Sequence, residues 1–396
     1  MLLDFLSANT KDIVMADTPP EAAQNPATEA MKSQALPQKL ALSLLQVWAW
    51  VFLACLALIF IIAVPVVSGG AVSFLSVRNS QNILVAITPV LLLGLGQTFV
   101  IISGGIDLSV GWVMSFASVI SALALREAYN AGLPLPVAVL AGFLAGSIGG
   151  GMVGLFNGVI IAKLKVPAFI VTLGTSFIVR GLALLMSENT TVIGLPSGVR
   201  DYGNESLFYF VRGDGGGFSI FTKPEVTGEM LRRMDRIITY PVLVTAIVVG
   251  IAIYVLRRTK FGRYTYAIGG NQIAAMRAGV PVDRHIIKLY MLSGATAGIA
   301  GFLSTLRFTA GSAVIGDSLL LSSIAAVIIG GVSLFGGSGS VVGTVIGSLI
   351  IAVLTTGLVM LNVPSFWQFI VVGAVVILAV LIDQSRDAIK NKIAGH

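Results

Sequence analysis

Residues 136–162 read PVAVLAGFLAGSIGGGMVGLFNGVIIA. The run carries no charged side chain and is longer than the roughly 20 residues a helix needs to cross a bilayer. Gly142, Gly146, Gly150, Gly154 and Gly158 recur at every fourth position, which lays a flat groove along one face of a helix. Lipid tails give two helices no hydrophobic reason to associate, so close van der Waals approach along such grooves must do so instead. The stretch therefore predicts a membrane helix packed tightly on a neighbour. Within it, Gly149-Gly150-Gly151-Met152-Val153-Gly154 has the spelling of a dinucleotide fingerprint. That motif requires a preceding strand and a helix start, and the middle of a spanning run offers neither.

The rest of the chain reads the same way. Of its 396 residues 56% are hydrophobic and 11% charged, against about 25% charged in soluble domains, and the mean hydropathy is +0.94. Ten apolar runs approach spanning length, at 44–67, 83–103, 106–125, 136–162, 166–187, 241–256, 286–306, 318–335, 341–361 and 366–382. The expected fold class is an all-α integral membrane protein of about ten transmembrane helices. Residues 1–40 are polar and read as a disordered cytoplasmic tail. Residues 41–383 form the transmembrane domain, and 384–396 a cytoplasmic C-terminal tail.

Counting Lys and Arg in the connections gives the orientation. With the N-terminus inside, about 15 cations lie inside and 9 outside, so both termini are expected in the cytoplasm. The cluster from Arg257 to Lys288 weighs most. Two connections are long: 188–240, expected in the periplasm, and 257–285, expected in the cytoplasm. Neither is large or apolar enough for an enzyme domain. The net charge of +7 belongs to this membrane asymmetry rather than to nucleic-acid binding.

Several chemistries are poorly served. One cysteine, Cys55, and two histidines, His285 and His396, give neither a disulfide nor a metal site. There is no ladder of acids or histidines for a proton relay, no potassium-filter sequence and no HExxH or GxSxG. The glycine-rich Gly336-Gly337-Ser338-Gly339-Ser340 lacks the lysine of a phosphate-binding loop. If transport here uses ATP, another chain hydrolyses it. Intramembrane polar residues are the usual pointer to function, and Gln97, Asp107, Ser109, Asn157 and Thr172 are the candidates for a substrate pathway. Asp107 has a second reading as the N-cap of the following helix. Arg180 reads as a snorkelling or locally paired side chain. Ile-Ile followed by Gly-Gly recurs at 101–105 and 328–331, too short a match to establish a repeat.

Longer motifs carry a likeness. They are GGIDLSVG at 104–111, PAFIVTLGTSFIVRGLAL at 167–184, FGRYTYAIGGNQIAAMRAGV at 261–280, IAAVIIGGVSLFGGSGSVVGTVIGSLIIAVLTTGL at 324–358 and SFWQFIVVGAVVILAVLID at 365–383. With them the chain resembles the permease subunits of bacterial ABC sugar importers, the group of the ribose, xylose and arabinose permeases. The resemblance implies a permease dimer, of two copies or two related chains, in the inner membrane. It also implies a separate ABC ATPase that binds ATP and Mg, and a periplasmic sugar-binding protein. On this chain it implies no cofactor and no catalysis, but import of a simple sugar or polyol by alternating access. Gly270, Asn271, Ala274, Ala275, Arg277 and Gly279 then fall in the coupling helix that docks into the ATPase. The family often has an acid where this chain has Ile273. The rival reading is a stand-alone secondary transporter or channel for a small neutral solute.

Overall fold

The computed structural model describes residues 48–211, 217–220, 223–224, 234–375, 377–378 and 381. The two expected tails, 1–40 and 384–396, lie outside them. Eight helices among the described residues are long and apolar enough to cross a membrane. They are α1 (Trp48–Val67), α2 (Val77–Ile102), α3 (Val110–Asn130), α4 (Leu135–Leu164), α5 (Ala168–Met186), α7 (Tyr240–Arg258), α10 (Val282–Phe308) and α12 (Val341–Met360). Two shorter apolar helices, α11 (Leu319–Ile329) and α13 (Ser365–Val375), occupy the last two runs not yet assigned. The connections carry short helices α6 (Val199–Asn204), α8 (Lys260–Gly270) and α9 (Gln272–Arg277). The fold is a bundle of membrane-length helices, with one small sheet in a connection.

Local chemistry sets the helix ends. Ser76 caps α2 by accepting from the Asn79 amide at 3.2 Å, and Ser340 caps α12 by accepting from Gly343 at 3.0 Å. Each satisfies an amide that has no partner inside its helix. α11 stops at Gly330 and Gly331, the latter with φ +82°, a conformation open to glycine. For this reason the run at 318–335 gives an 11-residue helix.

α4 and α10 form the central seam. A Cβ added at Gly150 would collide with the Gly294 carbonyl oxygen, one at Gly154 with the Tyr290 carbonyl, and one at Gly158 would press on the Ile287 backbone. Gly146 sits against Ser121 and Gly298, and Gly142 against the Ser121 carbonyl. All five glycines of the ladder thus touch backbone or side chains of α3 or α10. Gly343 and Gly347 bring α12 onto Gly330 and Ala326 in the same manner.

The connection at 188–240 holds α6 and a three-stranded antiparallel sheet of order β2-β1-β3, made of β1 (Phe208–Val211), β2 (Phe218–Ile220) and β3 (Met234–Arg236). It is tied down over the end of α10. The Asn204 side chain donates to the Arg307 carbonyl at 3.0 Å and the Arg236 guanidinium to the Asn204 carbonyl at 2.8 Å. Arg180 lies on α5 with its guanidinium 4.4 Å from the centre of the Trp112 ring, a cation–π contact. Cys55 is exposed on α1.

Candidate functional site

Three places in the bundle hold the candidate residues. The first is the break between α2 and α3. Asp107 is fully buried there. Its Oδ1 accepts from the Ser109 amide at 3.0 Å and the Ser109 hydroxyl at 2.6 Å, and its Oδ2 accepts from Ser293 in α10 at 2.8 Å. The Gln97 side chain donates to the Asp107 carbonyl. Asn157 in α4 donates to Ser109 at 2.9 Å, and Thr172 in α5 accepts from the Leu108 amide at 3.1 Å. All five pathway candidates therefore meet in one hydrogen-bonded knot. Irregular backbone at membrane depth requires such satisfaction.

Two expectations change here. Asp107 does not cap α3: the N-cap position is Ser109, with no side-chain cap bond. The carboxylate instead closes a short turn on Ser109 and reaches across to α10. Moreover, Gln97, Asp107, Ser109, Asn157 and Thr172 are buried, so in this conformation they line no open passage. Ser293 is a member that the sequence reading missed. Its signal was weak, because a serine in a glycine-rich helix also reads as packing.

The second place is a cavity of about 360 Å³ at the end of the bundle where α2 and α7 begin and α10 ends. Its walls are largely apolar, with polar groups from Thr88, Ser304, Arg307, Ser318, Ser322 and Thr355. Ligand pockets have this character: about 300–1,000 Å³, apolar walls and a few convergent polar groups. Pro89 also lines it. Lying inside α2, Pro89 has no amide to donate to the Val85 carbonyl, and Val85 is in the wall as well. The Arg307 guanidinium has no hydrogen-bonded or ion-paired partner among the described residues; it rests 5.2 Å from the Phe308 ring centre. None of these residues was expected from the sequence.

The third place is the connection between α7 and α10. Asn271 caps α9 by accepting from the Ala274 amide at 2.9 Å. Gly279, at φ +82°, closes it, with the Gly279 amide donating to Met276 and the Val280 amide to Ala275, the paired bonds of a glycine C-cap. Gly270, Asn271, Ala274, Arg277 and Gly279 are exposed. Ala275 is not: it is buried with Ile268 and Val282. The outward apolar side chains are Ile273 and Met276, each 60% exposed. Ala275 thus anchors α9 to the bundle rather than presenting a docking face.

This connection touches the first place through glycines. A side chain at Gly269 would collide with the Ile102 carbonyl, and Gly336 and Gly337 lie against Gly104, Gly269 and Gly270. The Gly337 amide donates to the Ile102 carbonyl at 2.8 Å. Tyr266 donates to the Gly339 carbonyl at 2.7 Å, and burial raises its hydroxyl pKa above the ordinary value.

Comparison with known proteins decides what bundle this is. Residues 79–380 match the family model described as a branched-chain amino acid transport system permease component. The xylose transport system permease protein of Haemophilus influenzae is 37% identical over 370 residues, covering 85% of this chain and 96% of that protein. The fructose import permease protein of Rhizobium meliloti is 36% identical, covering 82% of each. The chain belongs to the permease family of ABC sugar importers. The ribose import permease protein of Haemophilus influenzae is likewise 36% identical, over 82% of this permease and 90% of its own length. The family model's description speaks of amino acids, whereas these relatives are named for sugars. No solved structure matches the permease. As a member of this family it is a multi-pass membrane transport subunit.

Proposed function

We propose that this permease imports a simple sugar or polyol across the bacterial inner membrane by alternating access. A separate ABC ATPase, binding ATP and Mg, drives it, and a periplasmic binding protein delivers the cargo. A second permease, identical or related, completes the membrane dimer. Both termini and α9 face the cytoplasm, while the 360 Å³ cavity and the 188–240 connection face the periplasm. The relatives' named cargoes support the sugar.

The observation that carries ATP-driven coupling is the glycine junction. α9 exposes Ile273, Ala274 and Met276 at the surface, and its neighbour Gly269 sits on the Ile102 carbonyl where α2 breaks. A push on α9 therefore reaches the Asp107 knot through backbone in contact, with no side chain to absorb it. The knot is the closed state of the passage. Binding of ATP to the partner favours the state in which it opens, and this requires that the partner bind the two states unequally. The cavity receives the sugar first, with Arg307 and the hydroxyls meeting its oxygens.

The test is flux through the purified permease alone in proteoliposomes, with labelled pentoses and hexoses and imposed proton or sodium gradients. No gradient-driven flux is expected. Accumulation by the isolated chain would replace this reading with the secondary transporter.

A further inference from the structure

The chain between Arg257 and Lys288 carries seven Lys and Arg against one acid, Asp283. That acid is already engaged: Asp283 pairs with Lys165 at 2.6 Å and Lys163 at 3.6 Å. Lys260, Arg284 and Lys288 gather instead around a recess of about 300 Å³, walled by Phe261, Tyr264 and Pro281. All three cations are exposed, and none has a hydrogen-bonded or ion-paired partner among the described residues. His285, also in this wall, is occupied by its 2.9 Å bond to Thr265.

The recess continues into an apolar groove. A second hollow of about 350 Å³ shares Phe261 and Lys288 with it and is lined by Val255, Met291, Leu292 and Ala295. Arg284, Lys288, Met291 and Ala295 follow one another at four-, three- and four-residue steps, a single face of α10. Along about 16 Å of helix that face changes from cationic to apolar. α7 makes the same change in the same region, from Val255 to Arg257 and Arg258. Both helices thus mark one membrane–water boundary, with positive charge on the water side and an open channel on the lipid side.

We propose that this composite recess is a binding site for an anionic phospholipid. Lys260, Arg284 and Lys288 hold the phosphate, and one acyl chain lies in the groove of Val255, Met291, Leu292 and Ala295 between α7 and α10. Basic pockets between membrane helices bind such headgroups through the same charge complementarity. A free phosphate would use only the upper recess and leave the groove empty. A zwitterionic lipid would fill the groove but bring its own cation to three others. Only the anionic phospholipid satisfies both halves. The lipid would brace α8, whose last turn abuts the α2 break.

The experiment is native mass spectrometry of the full chain in neutral detergent, titrated in parallel with dioleoyl phosphatidylglycerol, dioleoyl phosphatidylcholine and inorganic phosphate. Phosphatidylglycerol should be retained with a preference of roughly tenfold or more over phosphatidylcholine, and phosphate should leave no adduct. Lys260→Gln/Arg284→Gln/Lys288→Gln should abolish the preference, while Arg258→Gln/Arg263→Gln/Arg277→Gln, with the same loss of charge outside the recess, should keep it. Equal retention of the two lipids by the unaltered protein would overturn the site, a reading that does not depend on how any variant folds. Phosphate binding as strong as that of phosphatidylglycerol would overturn the lipid as occupant. A preference surviving in the first variant, or lost equally in both, would overturn the assignment to these three residues.

Discussion

The Ser293 hydroxyl donates to Oδ2 of Asp107 at 2.8 Å, across 186 residues of sequence. This bond fastens the broken backbone between α2 and α3 to the middle of α10, the helix whose other face carries the α4 seam. A serine and an aspartate from distant segments thereby meet where α2, α3, α4, α5 and α10 come together.

Ser293→Ala leaves the buried Asp107 oxygen without this donor. An unsatisfied buried group costs about 1–3 kcal/mol, more when charged. A lower thermal midpoint in detergent is expected, with uptake lowered in step. An unchanged midpoint would mean that the bond contributes nothing net.

Gly150→Ala tests the seam with a single added carbon. Its Cβ would meet the Gly294 carbonyl oxygen and the Gly298 backbone, so α4 and α10 must separate. Overpacking of this kind costs roughly 1–3 kcal/mol, and folded yield should fall. Gly174→Ala in α5 is the control, because nothing lies within 4 Å of its added carbon. Equal yields of the two variants would remove the ladder's role.

Ala274→Glu and Ala275→Glu should differ in kind. Ala274 is exposed and its side chain can change without disturbing the bundle. The variant should reach the membrane at normal level while ATP-dependent uptake falls by about tenfold, a loss of 1.4 kcal/mol in docking. Ala275 is buried, and a carboxylate there should lower the amount of folded protein. Quantifying membrane-embedded protein beside uptake separates the two outcomes.

Arg307→Gln removes the guanidinium from the cavity wall, where it has no hydrogen-bonded or ion-paired partner among the described residues. A hydrogen bond to a charged group contributes about 1.5–3 kcal/mol. The half-saturating concentration for uptake should therefore rise by roughly tenfold or more, with expression unchanged. An unaltered half-saturation would place cargo contact elsewhere.

The sequence made the bundle readable because burial in lipid leaves an unambiguous mark. Long apolar runs with at most one charged side chain each located each apolar helix, and the four-residue period of Gly142 to Gly158 marked the face on which α4 packs. Gln97, Asp107, Ser109, Asn157 and Thr172 stood out because polar atoms are rare in such runs, and they do come together. Their company said nothing about whether they face a passage or one another, and here they satisfy one another. Ala274 and Ala275 are equivalent as letters. Only the fold-back of α9 against Ile268 and Val282 distinguishes the inward alanine from the outward one. The cavity was illegible for a different reason. Thr88, Ser322 and Thr355 each bond a carbonyl of their own helix, which is the ordinary behaviour of such hydroxyls in membrane helices. Their convergence depends on α2, α11 and α12 meeting at one end.

The central claim is that the energy for uptake arrives through α9 from another chain. Its most direct test is tracer uptake of labelled pentoses and hexoses by cells carrying this permease, with the partner ATPase either intact or inactivated in its phosphate-binding lysine. Uptake of the cognate sugar should fall to background when that lysine is lost. Undiminished uptake would contradict the account.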